Sequence, residues 1–415
     1  MASSLEALQP AIESLYKVRD TFFPLDAAEK RDRLERSAKE LIAALDDISL
    51  ECKKLPPRRA LWEYFKGKVL DVMPEYCKEA EDHLSKAVKL DPSIVDAWSC
   101  LGNCFWKKGD FSSAKNCFSL GLQKGPNKKI LQQLSMLERR LGKGTANESE
   151  MVEESIKHAK EAVCLDVKDG HSWYTLGNAF LTSFFVTGAW DRQKLHQSLK
   201  AYQNAEKDVL ANGNPDLYFN SAIVHQYLED YERALRAYDA ASTRDPGLPA
   251  KDEIDKIVKL LSKLEDAVAN KGWIKPKKLS SLISSLATES GQFSFKRVPI
   301  TLLQEGFNKG SVVYCKVLSV ISHDKSVPLF YLAADSEGTC FVVSVYAIRE
   351  GMMKEGNSLS LLEPLLHSVR AQRGNKVYSF KTVRIDHSQQ LRVNGRTIAP
   401  QDAACSIIHA EHVPP

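Results

Sequence analysis

The sequence predicts an α+β multidomain chain in two unlike parts, an all-α repeat superhelix followed by a small β-barrel. Two observations carry this. Trp98, Leu101, Gly102, Phe105, Ala114, Phe118, Gly121 and Pro126 stand at positions 4, 7, 8, 11, 20, 24, 27 and 32 of the window 95–128. That is the spacing of a tetratricopeptide (TPR) repeat, whose two antiparallel helices interlock large residues with small ones. From residue 296 onward the apolar period changes to β-branched and aromatic runs divided by turn residues, the pattern of strands.

Residues 1–59 read as a helical cap or divergent first repeat, with Asp26 before Ala27, Ala28 and Glu29 as an N-cap-like helix start. The array spans 60–270. A degenerate copy with Ala80, Leu84, Ala87 and Pro92 in phase precedes the clear one. Beyond it, 128–167 is a worn repeat: Ser155, Ala159 and Ala162 fit its second helix, and the polar stretch 142–149 interrupts it. Trp173, Leu176, Gly177 and Phe180 restate the first helix, and Ser198, Tyr202 and Ala205 the second, across an inter-helix loop at 182–196. That loop is enlarged by about nine residues over the usual period. Another copy starting at Pro215 is marked by Tyr218, Ala222, Ala234, Tyr238, Ala241 and Pro246. Ile254, Ile257, Val258, Leu261 and Leu264 predict a closing amphipathic helix over 250–269. One such unit cannot bury its apolar face alone. Stacked copies can, and they leave a concave groove suited to peptides.

Residues 271–295 read as a basic linker: Lys271, Lys275, Lys277 and Lys278 around Pro276, then a Ser-rich stretch. Strand-like runs follow at 311–322, 328–334, 339–348, 358–366 and 376–386, with a turn at 335–338 and a short helical piece at 349–354. Five strands with a helix between the third and fourth is the order of an OB-fold barrel over 296–400, ahead of a tail at 401–415. An unrelated small β-sandwich is the alternative.

Composition bounds the function. At 415 residues the chain exceeds one ordinary core, and its 43% hydrophobic and 27% charged residues are those of a folded protein. No apolar run approaches the roughly 20 residues that span a bilayer, so no membrane role is expected. Nine unpaired-looking cysteines and a start without a basic, apolar leader suit the cytoplasm and the nucleus. A net charge of +4 selects no partner.

No constellation for catalysis stands out, so no enzyme, metal or cofactor is expected. Gly142-Lys143-Gly144-Thr145 resembles a phosphate loop, but Glu138 holds the place of its first glycine. Cys100 with Cys104, and Cys405 with His409 and His412, lack a fourth zinc ligand. His409-Ala410-Glu411 lacks the second half of a zinc-deaminase motif. The groove is more informative. Groove-facing positions of the first helices are held by His171, Tyr174, Thr175, Asn178, Leu181 and Thr182 in one repeat. Asp216, Phe219, Asn220, Ile223, Gln226 and Tyr227 hold them in the last, and Arg139 in the worn one. An arginine and an aspartate with amides and aromatics between them suit a short peptide of both charge signs, Asn178 and Asn220 pairing with its backbone. The alternative is that Arg139 and Asp216 merely cap or solvate helices. The junction lysines are either a solvated linker, a phosphate-contacting patch or a nuclear signal. Arg370, Arg373, Lys376, Lys381 and Arg384 make the last strands basic, and Tyr378 and Phe380 beside them are either a stacking face for RNA or DNA or core.

The segments AEDHLSKAVKLDPSIVDAWSCLG, FWKKGDFSSA, DGHSWYTLGNAFL, NPDLYFNSA and KPKKLSSLISSL resemble the tetratricopeptide repeat protein five family, also called Strap, along nearly the whole chain. The resemblance implies a TPR array packed on an OB-fold, no catalysis and an adaptor role. One implied role is cytoplasmic: reading the Met-Arg-Glu-apolar start of nascent tubulin at the ribosome and triggering decay of tubulin mRNA. The other is nuclear, assembling stress-responsive transcription coactivators around a histone acetyltransferase. It also implies that Arg139 in LSMLERRL and Asp216 in NPDL read the peptide and that Lys275 and Lys277, beside Lys278, contact the ribosome. At Ala250 the chain departs from an acidic residue of that family. The expected function is a non-enzymatic peptide-binding adaptor, with the nuclear scaffold and an OB-fold nucleic-acid binder as alternatives.

Overall fold

The computed structural model describes residues 5–48, 55–189, 191–286, 295–324, 327–399 and 402–403. Helices α1 (Gln9–Thr21) and α2 (Ala27–Asp46) lead into pairs α3 (Pro56–Leu70)/α4 (Lys78–Leu90), α5 (Val95–Lys108)/α6 (Phe111–Lys124), α7 (Lys128–Gly142)/α8 (Glu148–Leu165) and α9 (Gly170–Val186)/α10 (Arg192–Ala205). After the short α11 (Val209–Asn212) come α12 (Pro215–Tyr227)/α13 (Tyr231–Arg244), and α14 (Ala250–Ala269) closes the array. Helix starts carry side-chain caps: Asp26, Asp110, Asn127, Asp169 and Asp230 accept from amides of the first turn, satisfying donors the helix leaves open.

Repeat phase is visible in the packing. Gly102 lies against Phe118, where a Cβ would stand 2.2 Å from the ring, and Gly177 lies against Tyr202, where it would stand at 2.4 Å. Trp98 and Trp173 each donate the indole N–H to a carbonyl six residues back, Pro92 at 3.0 Å and Val167 at 2.9 Å. One expectation needs correction: the enlarged loop at 182–196 is mostly helix. Leu181, Phe184 and Phe185 are buried, and only the helical conformation buries that run while satisfying its backbone, so α9 continues to Val186.

The junction after α14 is also more ordered than a linker. Pro276–Ser284 forms α15, with Leu279 buried, and Leu286 beyond it packs on the barrel with Val312, Tyr314 and Leu362. Proline supplies the first-turn geometry of α15 without needing its own N–H.

The β domain comprises β1 (Lys296–Arg297), β2 (Gly306–Phe307), β3 (Ser311–Ile321), β4 (Leu329–Asp335), β5 (Cys340–Val345), β6 (Ser358–Leu362), β7 (Leu365–Arg373), β8 (Lys376–Ile385), β9 (Leu391–Val393) and β10 (Arg396–Thr397). Strands β3, β4 and β5 run antiparallel, β5 pairs parallel with β8, β8 pairs with β7, and β6 returns to β3. The expected strand at 358–366 is the first part of a longer bent one. Glu363, at φ 47°, and Pro364 break the ladder, so β6 lies on β3 while β7 lies on β8, and the bend closes the barrel. Closure selects the OB-fold over the sandwich. The helix expected at 349–354 does not form. Ile348 and Met353 both plug the barrel core, and a helix would point side chains five apart about 140° away from each other. Gly351, at φ 88°, turns the chain instead.

Alternation gives the barrel two faces. Val313, Cys315, Val317, Tyr331, Ala333, Phe341 and Val343 fill its interior. Leu332, Ala334 and Val342 point outward onto α14, joining Ile254, Ile257, Leu261 and Leu264 in one core with Tyr238 of α13. Array and barrel thus share hydrophobic packing.

Candidate functional site

The first helices of three successive repeats, α7, α9 and α12, pack side by side and carry the candidate groove residues. Arg139 sits in the last turn of α7. Its Nη1 donates to Ser135 Oγ, one turn earlier, and to Ser155 Oγ of α8, both at 2.9 Å. Those hydroxyls also bond each other at 2.9 Å. Among the described residues Arg139 makes no ion pair. Burial therefore pulls its pKa down, to about 10, and the negative-leaning Tyr202, Tyr174 and Glu138 only partly oppose it.

Asp216 lies in the first turn of α12, capped by Asn214, whose Oδ1 accepts from the Asp216 amide at 3.0 Å. Tyr174 of α9 lies between the two charges. Burial raises its pKa first, Asp216 raises it further, and Arg139 lowers it. Both charges are thus felt at one hydroxyl, from helices on either side.

The remaining candidates are buried between the helices. Asn178 and Asn220 are 1% and 0% exposed. Asn178 Oδ1 accepts from Tyr202 Oη at 2.7 Å and from Asn220 Nδ2 at 3.2 Å, and Asn220 Nδ2 also donates to Tyr174 Oη at 3.2 Å. These amides tie α9, α10 and α12 together, which corrects the expectation that they face a peptide backbone. Phe219, 3% exposed, stacks edge-on against Tyr238 with ring centres 5.2 Å apart and belongs to the core. Sequence spacing missed Ser135, Ser155 and Tyr202, which seat Arg139 and the asparagines. The only signal was small or polar residues at apolar repeat positions. Ala250, where the resemblance has an acidic residue, is fully buried at the start of α14.

The second candidate surface is the basic junction. Lys271, Lys275, Lys277 and Lys278 are exposed and make no ion pair among the described residues. The basic strands of the barrel behave differently. Arg373 pairs with Asp239 of α13, Lys376 with Glu265 of α14 at 3.5 Å, and buried Arg384 with Glu229 at 3.6 Å. Tyr378 and Phe380 are buried against α14. The face expected as a nucleic-acid platform is the face that docks the array, because its alternation places aromatics inward and cations at the rim. Arg370 and Lys381 remain exposed.

Elsewhere the sequence candidates fall to structural roles. Cys104 Sγ donates to Asp71 Oδ1 at 3.2 Å, and burial raises the Cys100 thiol to about 11, unlike a metal-ready thiolate. The segment at 142–145 is a turn in which Thr145 Oγ1 donates to the Gly142 carbonyl at 2.8 Å. Cys405, His409, Glu411 and His412 lie outside the described residues. No described helix is long and apolar enough to cross a membrane.

Residues 294–407 match the family model for the Tetratricopeptide repeat protein 5 OB fold domain. The whole chain is 37% identical to Tetratricopeptide repeat protein 5 of Mus musculus, over 96% of this chain and 94% of that one. Identity to the Homo sapiens protein of that name is 36%, over 94% and 93% of the two chains. To the Bos taurus protein it is 35%, over 97% and 96%.

Proposed function

The chain belongs to the tetratricopeptide repeat protein 5 family, a TPR protein-binding adaptor by fold and kinship, and we propose that its groove reads a short peptide carrying both charge signs. The occupant we propose is the Met-Arg-Glu-apolar start of nascent tubulin at the ribosome, with the junction lysines meeting ribosomal surface. The carrying observation is Arg139, a largely buried guanidinium bonded among the described residues to two hydroxyls and no carboxylate. A buried cation without a carboxylate is costly, and an incoming glutamate relieves that cost. Asp216, across Tyr174, takes the peptide arginine.

Charge-assisted bonds of this kind are worth ~1.5–3 kcal/mol each, so losing one lowers affinity roughly ten- to a hundredfold. Calorimetry with a Met-Arg-Glu-Ile peptide tests this. Arg139→Ala should nearly abolish binding. Arg139→Glu should prefer a peptide whose Glu has become Lys, and Asp216→Arg one whose Arg has become Glu. Swaps without reciprocal preference would remove both residues as readers.

A further inference from the structure

We propose that the turn after α14 is a platform for RNA, on which Trp273 stacks against an unpaired base while Lys271, Lys275, Lys277 and Lys278 take the flanking phosphates. This rests on reading the junction as a ribosome-facing surface and names what that surface binds. Trp273 is 71% exposed, whereas the other described tryptophans are buried or half-buried. Its exposure is built in. Lys271, Gly272 and Trp273 have φ of 51°, 64° and 55°, three consecutive residues in the left-handed region. Only Gly272 adopts this freely, and there a Cβ would also stand 2.9 Å from Leu332 Cδ2 of the barrel. The turn therefore rests directly on β4. It is closed by the Trp273 amide donating to the Asn270 carbonyl at 2.8 Å. A tryptophan held in a disfavoured backbone conformation, with its indole gaining no burial, is strain that folding does not explain.

The charge around it selects the partner. Residues 271–279 hold four lysines and no carboxylate. Lys78 with Asp82 at 2.6 Å and Lys256 with Glu253 at 2.6 Å have acids on their own helix, whereas this cluster of four has none within its stretch. Unneutralised lysines answer a polyanion, and a flat exposed indole among them answers the π-face of a base, which any nucleotide offers. RNA loops and bulges present such unstacked bases.

Fluorescence anisotropy of the full chain with a short RNA hairpin carrying a one-adenine bulge tests this, against the same hairpin with an abasic bulge. The bulged hairpin should bind tighter. Trp273→Ala should lower its affinity roughly ten- to a hundredfold, to the abasic level, with the salt slope unchanged. Trp273→Phe should keep most of the affinity. Lys275→Glu with Lys277→Glu should weaken both hairpins and flatten the salt dependence. Wild-type binding by Trp273→Ala overturns the proposal. If the lysine pair still abolishes ribosome co-sedimentation in that case, the ribosome-facing reading survives and only stacking fails; if neither variant alters co-sedimentation, both fail. Loss of ribosome association by Trp273→Ala without weaker binding to free RNA assigns the indole to a protein contact and also overturns the proposal.

Discussion

Lys107 and Asp71, with side chains only 2% exposed, show what a buried charge requires in this array. Lys107 Nζ donates to Asp71 Oδ1 at 2.9 Å and to the backbone carbonyls of Asp71 and Met73, using all three ammonium donors. Burial pushes the Asp71 carboxyl up in pKa while Lys107 opposes it. Lys107→Ala would strand the carboxylate and two carbonyls, and should destabilise the protein by ~3–5 kcal/mol. The urea midpoint measures it; a shift equivalent to under ~1 kcal/mol would mean that water replaces the ammonium. Arg139 presents the opposite case. Among the described residues, the same fold that completes Lys107 leaves Arg139 with hydroxyls alone. Its position was legible from repeat phase, but the absence of a counter-ion was not, because Glu138, its neighbour in sequence, turns instead to His158 at 2.9 Å.

At the scale of the helix pair, a small residue against an aromatic ring sets the approach of the two helices. Gly177→Ala raises helix propensity by ~0.5–1 kcal/mol, yet the new methyl would stand 2.4 Å from the Tyr202 ring. That ring cannot step aside freely, since Tyr202 Oη holds Asn178 at 2.7 Å. Overpacking of ~1–3 kcal/mol therefore wins, and Gly177→Ala should lower the melting temperature. An unchanged or raised melting temperature would show that Tyr202 relaxes. Because Tyr202 and Asn178 join α10 to α9, which packs on α7 and α12, the variant should also weaken the proposed peptide binding. Repeat positions of this kind were readable from spacing alone. Strand β7 was not: LLHSVRAQR mixes charged and polar residues, because Val369 and Ala371 join the apolar layer shared with α13 and α14 while Ser368, Arg370 and Gln372 between them are exposed.

Across the whole molecule, α14 joins the two parts, one face on α13 and another on the barrel. Buried Arg384 locks them further. It bonds the Tyr227 carbonyl, pairs with Glu229 at 3.6 Å and Asp386 at 2.7 Å, and lies over the Tyr346 ring at 3.7 Å. Tyr346 Oη donates to Glu229 at 3.0 Å. Shared packing predicts that array and barrel unfold in one calorimetric transition. Arg384→Ala removes the cation from Glu229 and should cost ~3–5 kcal/mol, splitting that transition in two. A single transition at the original temperature would show that α14 alone couples the parts.

Local sequence by itself determined the repeats, the capped helix starts and the main strand runs. Each rests on a short-range rule, namely a 34-residue phase, a side chain reaching an amide within one turn, or alternation along a strand. Tertiary structure alone decided which polar residues remain for partners. Asn178 and Asn220 look like groove residues by position, and Tyr378 and Phe380 look like a stacking face by alternation, yet all four are consumed by neighbours distant in sequence. Among the described residues, Arg139 and the junction lysines are left without carboxylates. Whether a charge is paired depends on which helices and strands meet across the fold, and some of those contacts join residues more than a hundred positions apart, as Arg384 and Tyr227 do.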